Sequence, residues 1–407
     1  MEISSRDSYE GGIVKTEVMN PIAMLHLKAE LVKELRRNLG RKSVKKAVND
    51  GHARRPPRPC GITIHTAHGC AYGCLYCYIA EMGEPLDRTS PYELSGEEVT
   101  LALLENPWFV PGRYGTFIAI GSITEPFHPK VAERTLEYIR AFSKYLGNPI
   151  QFSTKSYISR DLADRIVDVA DGTPICPLIT IVTIKHARNL EKHAPSPDKR
   201  FESISNLRDA GLKPFLFLRP IIPGVTDQEF EEILGRAKDA GAEGVIIGTL
   251  RVSQKIIERM YASGIDMKQI RMRVGRVGRR QVYIRGEDLK RRALKVSQEV
   301  GLLAYKSACC ANAYTANVTC ANVCWMSNFC VNCPNDCRNR IPQIKLSDVE
   351  WVLERILDFR PIDVEEREGT LRIVVPPGLR KKTVGWQGAN VLMFKTLFRR
   401  AIRVEEQ

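Results

Sequence analysis

The chain has 407 residues, 43% of them hydrophobic, and a formal charge of +14. That length and apolar content support real cores in two or three domains, and no apolar run is long enough to span a bilayer. The 12 cysteines cluster and no secretory leader precedes them, which argues against a disulfide framework and for metal binding in a reducing cytoplasm, with no membrane partner.

The basic charge gathers in two stripes. One lies in residues 28–58, with Arg36, Arg37, Lys45 and Lys46 among its members, and the other in residues 271–292. Such stripes attract polyanions through counterion release, and RNA is the expected partner; a charged, solvated surface has the same composition. Residues 1–58 read as a basic, partly helical N-terminal arm. It ends in RRPPRPC, where Pro56, Pro57 and Pro59 forbid helix.

Residues 59–305 alternate short apolar runs with helical patterns. The strand candidates are 61–66, 116–123, 149–154, 178–184, 213–219 and 244–250; helical patterns cover 131–145, 161–171, 200–210 and 228–240. This alternation predicts an α/β fold with a parallel sheet, and six units predict a partial (β/α)6 barrel. In such barrels the C-terminal ends of the strands carry the chemistry.

The first loop of the barrel holds HGCAYGCLYCY, which places Cys70, Cys74 and Cys77 at C-x3-C-x2-C spacing. Three thiolates cannot fill a four-iron cubane and leave one iron open. Other readings of the spacing are a zinc site completed by His65 or His68, and a ferredoxin-type cluster completed by a distant cysteine. The motif resembles the radical-SAM superfamily, and GC-x3-C-x-YCY resembles its spore photoproduct lyase branch.

The resemblance covers residues 60–310 and implies a [4Fe-4S] cluster on the three thiolates, S-adenosylmethionine (SAM) on the open iron, and a one-electron reductant of the ferredoxin or flavodoxin type. It implies further that the Tyr76 backbone meets adenine. Ser122, Thr124 and Glu125, in GSITEPFHP, face the SAM amino group, and Lys155 and Ser156, in STKS, lie at its carboxylate. Arg219 points to the mouth in FLRPIIPG, and Arg251 ends GTLR; Arg200 matches too, unless it is a structural ion-pair partner. The lyase branch has a hydrogen-donating cysteine after its second strand, whereas this chain reads IAIGSITEP there. Cys176, before the fourth strand, is expected at the wrong end of the barrel to replace it. Thymine-dimer repair is therefore disfavoured.

Residues 306–343 form a cysteine-rich segment with Cys309, Cys310, Cys320, Cys324, Cys330, Cys333 and Cys337. CVNCPNDC is a strong metal-binding pattern, and four of these thiols suit a second [4Fe-4S] cluster or a zinc ion. A second cluster would transfer electrons, anchor substrate or donate sulfur; zinc would pin the fold.

Residues 344–407 predict an amphipathic helix over 346–359, a hairpin turning at Gly369, a loop VGWQGANV, a helix and a closing strand. This order, with the G-x-x-G loop, resembles KH domains of archaeal transcription-termination factors. Gly385 and Gly388 would let backbone amides approach the phosphates of a single strand, with Arg380, Lys381 and Lys382 as phosphate partners. Trp386, next to Gln387, would stack on a base or bury itself against a neighbour.

Together these features predict a radical-SAM iron–sulfur enzyme that generates a 5′-deoxyadenosyl radical and modifies a nucleotide in tRNA or rRNA. The alternatives are a lyase-like enzyme of damaged DNA and a non-enzymatic iron–sulfur RNA-binding protein.

Overall fold

The structure, a computed structural model, describes residues 19–58, 61–322 and 333–407. Two helices open it, α1 (Pro21–Asn38) and α2 (Arg41–Asn49). Asn20 caps α1 by accepting from Ala23 N at 3.1 Å, with Pro21 in the first turn where a missing N–H costs nothing. The helices do not stand away from the body: Leu31, Leu35 and Ala47 are buried in the barrel's core, and Met19 and Met24 in that of the C-terminal module. Lys28 is drawn in with them. Its Nζ donates to Asn106 O at 2.6 Å and Phe109 O at 2.7 Å, which satisfies carbonyls just beyond the end of helix α3 (Gly96–Glu105). The stripe predicted as a polyanion-binding arm therefore spends its apolar face, and at least one lysine, on packing.

Seven strands make one parallel sheet in sequential order: β1 (Ile62–Ile64), β2 (Ile118–Ile120), β3 (Ile150–Thr154), β4 (Ile175–Thr180), β5 (Phe215–Ile221), β6 (Gly244–Thr249) and β7 (Leu303–Tyr305). The crossovers are α4 (Ala132–Tyr145), α5 (Arg160–Ala170), α6 (Pro197–Asp209) and α7 (Phe230–Asp239), each within three residues of its predicted start. Ile62, Ile118, Ile150, Phe152, Ile175 and Val245 are fully or almost fully buried, as strands covered on both faces require. The β1 and β7 edges do not pair, so the sheet is the expected partial barrel with one strand more than the six foreseen. The seventh follows α8 (Gln254–Ala262) and α9 (Glu287–Glu299). The fourth strand starts earlier than predicted and contains Cys176 near its N-terminal end. No helix among the described residues is long and apolar enough to cross a membrane.

Helix α10 (Ala308–Ala316) leads into the cysteine-rich segment. The last elements are α11 (Leu346–Leu357), β8 (Asp363–Arg367), β9 (Thr370–Val375), α12 (Arg380–Val384), α13 (Ala389–Phe398) and β10 (Ala401–Glu406). Strand β8 pairs antiparallel with β9, and β10 parallel with β9. Val349, Val352, Leu371, Ile373, Phe394 and Phe398 close this module's core, and α1 packs against it through Met24 and an edge-on His26–Trp351 ring contact at 5.6 Å.

Candidate functional site

The strand ends converge on a cavity of about 370 Å³ that reaches down the inside of the open barrel. That is within the size range of small-molecule sites. Cys70, Cys74 and Cys77 line it at the top, on the loop after β1. The loop has almost no regular structure of its own, so neighbours set its path. Cys70 N donates to Pro85 O at 2.9 Å and Leu75 N to Leu190 O at 2.9 Å. Arg259, on α8, donates to Leu75 O at 3.0 Å and Cys77 O at 2.6 Å. His65 and His68 do not line the cavity: His65 Nε2 meets Arg55, and His68 sits 3.0 Å from Glu93. The zinc reading that needed either histidine is thus disfavoured.

Burial pushes the Cys74 thiol up to about 12, with the Lys155 charge opposing, and burial raises Cys70 as well. Bare, Cys70 and Cys74 stay protonated, so a metal that binds them must displace their protons.

Beside the thiols, Glu125 is buried after β2 and accepts four hydrogen bonds: from Thr154 Oγ1, from Lys155 N at 3.0 Å, from Ser156 Oγ at 3.2 Å and from Phe127 N at 3.4 Å. Burial raises its carboxyl above the ordinary value against these donors. Tyr72 Oη lies 2.7 Å from Ser156 Oγ. The chain reaches Glu125 through Gly121, at φ +88°, where an added Cβ would stand 2.2 Å from Ser153 O. Gly121→Ala is accordingly expected to push β2 off β3 and lower stability by about 1–3 kcal/mol or more. Denaturant unfolding measures this.

Lys155 is partly buried, its Nζ 5.5 Å above the Tyr76 ring and 3.9 Å from Glu191 Oε1. Burial lowers its affinity for a proton, but negative charge at Cys74, once that thiol is ionised, and at Glu191 outweighs burial and raises it. Tyr76 Oη donates to Glu191, and Arg200 Nη1 sits 2.5 Å from Glu191 Oε2. Arg200 is thus a buried ion-pair partner one layer behind the cavity. Glu191, Tyr72 and Gln151 escaped sequence reasoning: Glu191 reaches the site across the fold, 115 positions from Tyr76, while Tyr72 on the cysteine loop and Gln151 on β3 carry no pattern that marks them.

Of the predicted residues, Tyr76, Ser122, Thr124, Glu125, Lys155, Arg219 and Arg251 line the cavity, while Ser156 stands behind Glu125. Ser122 is exposed, and its carbonyl accepts from Tyr78 Oη at 2.8 Å. Arg219 and Arg251 are exposed at the mouth, and the Arg251 guanidinium lies 4.2 Å over the Tyr283 ring. The cysteines lining the cavity, among the described residues, are the three of the loop; Cys176 is buried with the barrel-floor residues.

Two buried polar atoms on the wall have no hydrogen-bond partner among the described residues, Thr124 Oγ1 and Gln151 Oε1. A buried hydroxyl and a buried amide oxygen without partners are costly unless a ligand satisfies them. The wall thus offers three thiols, a carboxylate, an ammonium and two orphaned polar atoms. That set fits an iron–sulfur cluster together with a ligand bearing both an amino and a carboxylate group.

The cysteine-rich thiols lie elsewhere. Cys309, Cys310, Cys320 and Cys337 are buried under the barrel floor, with Cys333 partly buried beside them. Cys324 and Cys330 lie outside the described residues. In the C-terminal module Arg380, Lys381, Lys382, Trp386 and Gln387 are exposed, and Gly385 and Gly388 have φ of +74° and +77°.

Residues 64–237 match the Radical SAM superfamily. An uncharacterized protein of Mycobacterium tuberculosis is 25% identical over 199 residues, which cover 46% of this chain and 58% of that relative, so the chain accounts for less than two thirds of its length. An uncharacterized protein of Methanocaldococcus jannaschii is 26% identical over 203 residues, 46% of this chain and 71% of that relative. Among solved structures, a spore photoproduct lyase variant with bound AdoMet and dinucleoside spore photoproduct superposes with a TM-score of 0.50 at 17% identity. The superposition covers 63% of this chain and 79% of that one.

Proposed function

Since residues 64–237 are a radical SAM domain, we propose that this protein is an enzyme that uses a [4Fe-4S] cluster and SAM to modify a nucleotide of RNA. The observation that carries the catalytic half is the shared wall of Cys70, Cys74 and Cys77 with Glu125, Lys155 and the orphaned Thr124 and Gln151 atoms. When bound, the cluster and SAM supply a one-electron cleavage and a 5′-deoxyadenosyl radical that takes a hydrogen atom from substrate.

The chain's own residues do the rest. Cys70, Cys74 and Cys77 hold three irons. Glu125 accepts from an ammonium, and Lys155 answers a carboxylate. The Glu191–Arg200 pair fixes Tyr76 and Lys155 from behind. Arg219 and Arg251 place positive charge where a phosphate-bearing substrate enters. With no further cysteine on the wall among the described residues, a hydrogen atom returned to the product would come from another group, which weighs against the photoproduct-lyase outcome.

The RNA half rests on the C-terminal module. Its α-β-β-α-α-β order, its mixed pairing around β9 and its two positive-φ glycines support a KH-like reading. An added Cβ at Gly388 would meet nothing within 4 Å, so the outer face of the loop is open to a close backbone approach. Trp386 is 61% exposed, which leaves its face free for a base.

Two measurements test the reading. Anaerobically reconstituted, reduced protein given SAM should release 5′-deoxyadenosine, and cluster-loaded protein that never cleaves SAM with total RNA present would sink the enzyme reading. Trp386→Ala should weaken binding of single-stranded RNA by about 1–3 kcal/mol in a fluorescence titration. Unchanged RNA affinity, or a preference for irradiated DNA, would count against the RNA assignment. A target base inside a duplex would have to be unstacked first.

A further inference from the structure

The cavity floor is Ala308, and the next two residues, Cys309 and Cys310, are buried in the first turn of α10. Cys320 Sγ stands 4.0 Å from Cys309 Sγ. Cys310 is in hydrogen-bonding contact with Cys309 and Cys333, and Cys337 with the backbone of Cys320. Asn335 fixes the group from outside, donating to Cys310 O at 2.7 Å while its Oδ1 accepts from Tyr305 at 2.6 Å. These thiols share an apolar cluster with Phe117, Phe215 and Tyr305.

A cation buried in such a cluster needs acceptors and a counter-charge. Arg399, at the end of α13, is fully buried, with its guanidinium 6.0 Å from the centroid of the Phe117 ring of that cluster. Its Nη1 donates to Thr396 O at 3.1 Å and its Nη2 to Tyr114 O at 2.7 Å, while its Nε has no acceptor. No carboxylate pairs with it among the described residues, whereas the neighbouring Arg400 has Glu366. The groups beside Arg399 that can carry negative charge include Cys320 and Cys337. An unpaired buried guanidinium is strongly unfavourable, and metal-bound thiolates would remove the penalty.

We propose that four of Cys309, Cys310, Cys320, Cys333 and Cys337 provide the thiolates of a second metal centre, zinc or iron–sulfur, and that Arg399 is its counter-cation. Each ligating thiol gives its proton to solvent and its sulfur lone pair to the metal, with no change of oxidation state. Among the described residues no three such side chains already stand at single-ion spacing, so the metal draws its ligands together as it binds. Because Arg399 belongs to the C-terminal module and Tyr114 to the barrel, the centre's charge fastens one to the other.

The test uses the full chain with Cys70→Ala, Cys74→Ala and Cys77→Ala, purified anaerobically, so that the first site contributes nothing. Elemental analysis should find about one zinc, or about four irons with acid-labile sulfide and visible absorption, per chain. Adding Cys309→Ser and Cys320→Ser should remove that metal. Arg399→Met should speed its loss to a chelator at least about tenfold, with Arg399→Lys intermediate. Should the serine variant fail to fold, alkylation of the folded triple-alanine protein gives the second readout: the thiols should be protected until chelator is added. A triple-alanine protein without zinc or iron, metal content unchanged by the serine substitutions, or thiols equally labelled before and after chelation would overturn the proposal.

Discussion

Arg200→Met is expected to cost about 3–5 kcal/mol of stability, the largest effect of any single substitution in the barrel. Arg200 and Glu191 side chains are 1% and 0% exposed, with Nη1 and Oε2 2.5 Å apart. Arg200 also donates to Pro195 O at 2.8 Å and Thr180 O at 3.2 Å. Removing it leaves a buried carboxylate whose remaining cation, Lys155, is 3.9 Å away. The pH dependence has a definite sign. Burial alone would raise the Glu191 carboxyl, but Arg200 and Lys155 outweigh it and hold the group below the ordinary carboxylate range. In the parent, that contribution is present above the unfolded value and is lost as pH falls through the depressed one. In the variant, burial wins and protonation relieves it. The deficit is therefore largest near neutral pH and shrinks on acidification. Adding Glu191→Gln should recover part of it, since deleting both charges costs less than stranding one. Urea unfolding of parent, single and double variants across pH decides the matter; a deficit below about 1 kcal/mol, or one indifferent to pH, would show that the pair contributes little.

Cys74→Ala is expected to abolish SAM cleavage while the protein stays folded. Cys74 is buried, but Ala fills most of its volume, and the loop's course is held by Leu75 N on Leu190 O and by Arg259 on two loop carbonyls. What is lost is one of the three proposed iron ligands. Iron and sulfide analysis should show loss of the cluster, circular dichroism an unchanged fold, and chromatography no 5′-deoxyadenosine. SAM cleavage at the parent's rate in this variant would falsify the assignment of the cluster to this loop.

Much of the barrel was legible because its signals are short-range. A β-rich run followed by C-x3-C-x2-C places three thiols on one loop whatever the rest of the chain does. The alternation of apolar runs with helical periods sets a parallel sheet, and β3 ends at the polar turn STKS, whereas β5 runs through Pro220 to Ile221 instead of stopping there. Strand β7 was missed because Leu303–Tyr305 is three residues long and only partly buried; its identity comes from the β6 edge it covers. Residues 28–58 looked like a free basic arm because charge dominates their composition. Their apolar stripe, Leu31 and Leu35 on α1, is what packs.

By itself, then, the amino-acid order marked the thiol triad by its spacing, and the strand-end carboxylate and lysine and the glycine loop of the last module by their resemblance to known families. Tertiary structure decided which charges meet. Glu191 between Tyr76, Lys155 and Arg200, the Thr124 and Gln151 atoms on the cavity wall that lack partners among the described residues, and Arg399 buried against Phe117 and Tyr114 join positions far apart in the chain. The reason is physical. Periodicity reports which face of an element is apolar, whereas the pairing of buried charges depends on desolvation and distance, and those exist only once the sheet has brought its strand ends together.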